Sequence, residues 1–152
     1  MKPIILLLLI NLSSYSNDIS EIRKLYLEAH ISQSDCKNFG EKITNSQSDE
    51  SALIKGYKGC FYFIKCEFVN SPVHKFLYFN KAKKLLESAI KDNQKSVELK
   101  FLRFSIQKNI PNFLQYNNSL EEDLKFINEN IQFIKDKETR KFISNALKSI
   151  TK

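Results

Sequence analysis

Apolar residues recur every three to four positions along most of the chain, and no strand-like alternation is sustained. Asp18 opens a first helix, with Glu21 three residues on to complete a capping box and Ile22, Leu25, Tyr26 and Ala29 as its stripe. Ser34 is placed to cap a second helix with Cys36, Phe39 and Ile43 inward, ending in a polar loop over 44–48. A third helix is predicted from near Asp49 to about Val69, its stripe being Leu53, Tyr57, Cys60, Ile64 and Phe68. Gly56 and Gly59 lie inside it, where each costs about 1 kcal/mol relative to alanine. Close approach of a neighbouring helix is the expected compensation.

Ser71-Pro72 gives an N-cap followed by proline at the first helical position. The helix it opens runs to about Asp92, with Phe76, Phe79, Ala82, Leu86, Ala89 and Ile90 expected in the core. Ser96 caps a fifth helix to about Asn109, whose apolar residues spread around most of its circumference. Such a helix is expected to be central and most buried. Pro111 ends it, and 110–118 is a loop carrying Phe113, Leu114 and Tyr116. Asn118 or Ser119, with Glu122, opens a sixth helix with Leu120, Leu124, Ile127, Ile131 and Ile134 in line. A last helix runs from Glu138 to about Ile150. The prediction is an all-α domain of about seven helices, with short loops that make neighbours antiparallel.

Ahead of this domain stand Lys2, the apolar run Ile4 to Ile10, and small residues at Ser14 and Ser16. That order predicts a secretory signal peptide, residues 1–16, cleaved to leave a single domain over 17–152. The run is short of the roughly 20 apolar residues a membrane-spanning helix needs. The first cysteine is Cys36, so no lipoprotein cysteine stands at the cleavage point. The expected location is periplasmic or secreted, with nothing membrane-spanning after cleavage.

The net charge of +7 raises the prospect of an anionic partner. Among 24 basic residues, however, only Arg23, Arg103 and Arg140 are arginine, whereas bidentate recognition of phosphate and bases favours arginine. A diffuse lysine excess on an exported chain argues against nucleic acid. In an oxidising compartment the three cysteines cannot all pair. Cys36 could bridge to Cys60 or Cys66; buried free thiols acting as small apolar residues are the preferred alternative. No CxxC or HxxxH spacing suggests a metal site, and no glycine-rich loop suggests a nucleotide or other cofactor.

The block Phe79-Asn80-Lys81-Ala82, Leu85 to Ile90, Lys91-Asp92-Asn93 resembles the second helix of a tetratricopeptide repeat. In such repeats two small residues seven apart, here Ala82 and Ala89, admit the paired helix, and a large apolar residue between them, here Leu86, fills the gap. Gln94 stands where the family usually has proline. With Gly56-Tyr57-Lys58-Gly59, the run Val97 to Gln107, and Pro111-Asn112-Phe113-Leu114 with Tyr116 and Asp123, the chain resembles a family of short exported tetratricopeptide-like proteins of flavobacterial type. The likeness covers about Leu53 to Asp123. It implies stacked helical hairpins and export, and assigns no activity.

Catalytic chemistry is sparse. His30 and His74 sit in no recognisable motif, so no nucleophilic triad is indicated. Glu87-Ser88 is similar to the glutamate–serine pair of helical wall-cleaving transglycosylases, but that family's glycine, glutamine and tyrosine motifs are missing. Glu121, Glu122 and Asp123 suit the first turn of a helix, where carboxylates meet the helix dipole. Arg103 stands between Leu102 and Phe104 in the most apolar helix. It either pairs with an acid such as Asp123, tying the 110–118 loop to the core, or faces a ligand together with Gln107, Asn109 and Tyr116. The function these features favour is a non-catalytic, exported protein whose helical hairpins bind a protein partner. The alternatives are a small-ligand or envelope-polymer binder using the Arg103/Tyr116 region, and a cell-wall enzyme built on Glu87.

Overall fold

A computed structural model describes residues 18–46 and 51–151. The leader and the Asn17 boundary lie outside the described residues. The described chain is helical throughout: α1 (18–28), α2 (Gln33–Thr44), α3 (Ala52–Lys65), α4 (Pro72–Asp92), α5 (Val97–Asn109), α6 (Leu120–Asn130) and α7 (Lys137–Ile150). Short 3-10 turns follow α3 at Cys66–Phe68, α5 at Asn112–Leu114 and α6 at Ile131–Phe133. No described residue is in a strand. No helix among the described residues is long and apolar enough to cross a membrane.

The starts of the helices follow their caps. Ser51, Ser71, Ser96 and Asp136 each accept the backbone N–H of the residue three ahead, satisfying one of the orphan donors of a first turn. Two caps differ from expectation. Ser32, not Ser34, caps α2 by accepting from the Asp35 N–H. Ser32 has Asp35 three residues on, whereas Ser34 has Lys37 and no acid to complete the motif. Ser119 makes no side-chain cap for α6. Its own N–H is taken by the Gln107 side-chain oxygen at 3.1 Å, and Glu122 turns instead toward Lys100 at 3.5 Å.

The closest helix pair is α3 against α4, and glycine permits it. A Cβ on Gly59 would lie 3.0 Å from the Ala82 carbonyl oxygen and 3.0 Å from Leu86 N and Cβ. One on Gly56 would lie 2.4 Å from Leu99 Cδ2 of α5 and 3.7 Å from Ala89 Cβ. The two helices therefore run antiparallel with Gly59 at Ala82 and Gly56 at Ala89, and Leu86 fully buried between. Helix α5 is the centre of the molecule: every residue from Val97 to Gln107 is buried.

That centre contains charge. Arg23 of α1 donates to both Glu98 oxygens at 2.8 and 2.7 Å, Tyr57 of α3 donates to Glu98 at 2.6 Å, and Arg23 also donates to Thr139 of α7 at 2.7 Å. Burial alone would lower the Arg23 pKa; the Glu98 contacts override it and raise it. Burial, with Glu98 adjacent, lifts the Tyr57 hydroxyl well above its ordinary range, so it stays a donor. Four helices thus share one buried ion pair, an arrangement in which removal of either charge is costly.

Candidate functional site

The four residues expected at a site are not brought together around a pocket. Arg103 is 7% exposed and forms a two-pronged pair with Asp123 at 2.6 and 2.8 Å; a third nitrogen reaches Glu87 at 2.9 Å. Asp123 is fully buried. The pairing of Arg103 with Asp123, one of the two readings above, is therefore present, and it ties α5 to α6. Tyr116 is buried and donates to the other Glu87 oxygen at 2.5 Å, drawing the end of the 110–118 loop onto α4. Gln107 is buried; its oxygen takes the Ser119 N–H, and its Nε2 has no hydrogen-bond partner among the described residues. Asn109 alone is exposed, with its amide nitrogen on the Ser105 carbonyl at 2.8 Å. Arg103, Gln107 and Tyr116 are all buried, and the guanidinium, isolated in an apolar helix, is stabilised by acids close by.

Glu87 is likewise committed. One oxygen accepts from Tyr116 and the other from Arg103, so neither is directed at an open cleft.

An open cleft of about 480 Å³ lies beside this network, and Asn109 is the only one of the four expected residues on it. Buried Phe63 and Ile64 of α3 and Ile106 of α5 form its floor. Phe76 and Phe79 of α4 make one wall; Phe113 and Leu114, after α5, make another. Phe76 is 66% exposed and Phe113 80%, a heavy apolar presence at one opening. At the rim His30 of α1 meets Glu67 at 2.9 Å, and Lys75 stands exposed.

On the α4 wall, residues 72–77 are all exposed. Phe76 was expected in the core stripe. It continues that stripe in sequence, yet its ring is mostly exposed. On the other wall, Pro111 ends α5 and a 3-10 turn holds Phe113 outward. Gln115 then takes a left-handed backbone with φ 50°, which turns the chain so that Tyr116 points inward. Phe113 was legible only as an apolar loop residue; its place two residues after Pro111 was the available signal.

All three cysteines are free thiols. Cys36 is buried, and burial pushes its thiol up to about 11; burial also raises Cys60 and Cys66. Among the described residues no group of three or more His, Cys, Asp or Glu side chains is arranged to hold a metal. No protein-family model, curated protein or solved structure matches the chain.

Proposed function

We propose that this chain is an exported, non-catalytic binding protein whose open apolar cleft receives a segment of a protein partner. The exposure of Phe76 and Phe113 on facing walls of one cleft carries the reading. Exposed apolar surface of this kind, rimmed by polar groups, marks interaction sites in folded proteins. The leader supports export, and the antiparallel α3–α4 pair with small residues at Ala82 and Ala89 supports the tetratricopeptide-like arrangement and its membership in that exported family. The double occupation of Glu87 favours binding over cell-wall catalysis. A small apolar ligand is the second reading, favoured by a cleft volume within the usual range of about 300–1,000 Å³ for such sites. It would use this cleft rather than the Arg103 network.

The test is parallel capture from envelope extracts on the wild-type chain and on a Phe76→Asp/Phe113→Asp variant. The captured protein is then purified and titrated calorimetrically against both. Stoichiometric binding to wild type and none to the variant is expected, with unchanged melting of the variant because both rings are exposed. Equal binding to the variant, or no stoichiometric protein partner, would refute the proposed docking.

A further inference from the structure

The α4 side of the cleft carries lysines, and their charge bears on the choice of occupant. Lys75, Phe79 and Lys83 follow one another at four-residue spacing, so they share the α4 face that carries the cleft wall. Both lysines are exposed, and among the described residues neither ammonium has a carboxylate within ion-pair distance. Lys83 lies 5.1 Å over the Tyr116 ring, beyond the Phe79 end of the wall. Of the acids on these elements, Glu67, which also lines the cleft, pairs with His30, and Glu87 is held by Arg103 and Tyr116. The wall therefore offers aromatic surface bracketed by two unneutralised cations. Eight residues at about 1.5 Å each put them roughly 12 Å apart along the helix axis.

We infer, resting on the protein-binding reading above, that the partner segment is an amphipathic helix with apolar anchors and an acidic flank. Anchors at i, i+3 or i+4 and i+7 suit a groove of this kind. Carboxylates two helical turns apart match the spacing of Lys75 and Lys83. Addition of a peptide strand would need a sheet edge, and no described residue is in a strand. Charge complementarity of this sort sets specificity and encounter rate more than total affinity.

The probe is a labelled synthetic amphipathic peptide of about four helical turns, with leucine and phenylalanine anchors and glutamates on one flank. Its counterpart carries lysines in place of the glutamates. Fluorescence anisotropy is read at low and high salt. The acidic peptide is expected to bind about tenfold tighter at low salt and to lose most of that margin as screening rises. A Lys75→Glu/Lys83→Glu variant, with its melting curve unchanged, should reverse the order. Equal binding of both peptides, abolished by Phe76→Asp, would overturn the acidic partner while leaving the cleft as a docking site. Binding of neither peptide, or displacement of the acidic peptide only by a single-chain carboxylate such as laurate, would also overturn it. The fate of the cleft would then rest on the capture experiment.

Discussion

Replacing Asp123 by alanine should remove a large share of the stability of the fold. Asp123 has no exposed surface and accepts two guanidinium hydrogen bonds from Arg103, with Lys100 Nζ 3.4 Å away. Hydrogen bonds to charged groups contribute about 1.5–3 kcal/mol each, and breaking a buried pair costs about 3–5 kcal/mol because the surviving charge is stranded. Glu87 still reaches Arg103 in the variant, but its side chain is 38% exposed and its contact is screened. The loss should therefore fall near the lower end, about 3 kcal/mol, against a total of about 5–15 kcal/mol. At roughly 3–5 °C per kcal/mol for a domain of this size, the melting temperature should drop by about 10–15 °C. Urea unfolding followed by circular dichroism at 222 nm measures it. The companion variant Arg103→Met/Asp123→Leu should recover most of the loss, since two packed apolar side chains leave no unpaired charge. A loss below about 1 kcal/mol for Asp123→Ala would refute the pair as a structural clamp and reopen a ligand-facing role for Arg103.

Other predictions follow from the same geometry. Gly59→Ala should destabilise by about 1–2 kcal/mol despite a helix-propensity gain of about 1 kcal/mol, because the new Cβ meets α4 backbone rather than a movable side-chain tip; urea denaturation checks it, and a stabilised variant would contradict the close packing. Cys36 should react with a thiol reagent near pH 8 about a hundredfold more slowly than an ordinary cysteine, since its thiolate forms only toward about 11; a rate matching denatured protein would show that α2 does not cover it. Burial pushes the Asp18 pKa up, but Lys42 and Ser46 outweigh it and leave it below the ordinary value; Thr139 does the same for Asp136. Each contributes stability present above about pH 4 and lost as pH falls through the lowered value. The Asp18→Asn/Asp136→Asn variant should therefore show a shallower fall in melting temperature between about pH 5 and 2 than wild type.

Much of the fold was legible in the sequence because its signals are local. Ser71-Pro72 and Ser96 cap helices by contacts three residues away, and the Val97–Gln107 run could satisfy its apolar circumference only at the centre. Gly56 and Gly59 announced a close approach, and Ala82 and Ala89 proved to be the surfaces that meet them. The Arg23–Glu98 pair was not legible: its members are 75 residues apart, and neither breaks the periodicity of its helix. The cleft was missed for a related reason. Hydrophobic spacing records which face of α4 carries Phe76, but not whether a neighbouring helix covers that face. Arg103 drew notice as the charged residue in an apolar helix, and the same oddity that suggested a ligand is explained by Asp123.

The cleft as a docking site is tested most directly by position-specific photo-crosslinking in producing cells. A photoreactive phenylalanine analogue is placed singly at Phe76, at Phe113, and at Phe133, which is 72% exposed but does not line the cleft. One partner adduct of the same mass is expected from positions 76 and 113 and none from 133. Adducts at all three positions alike, or at 133 alone, would contradict a docking role for the cleft.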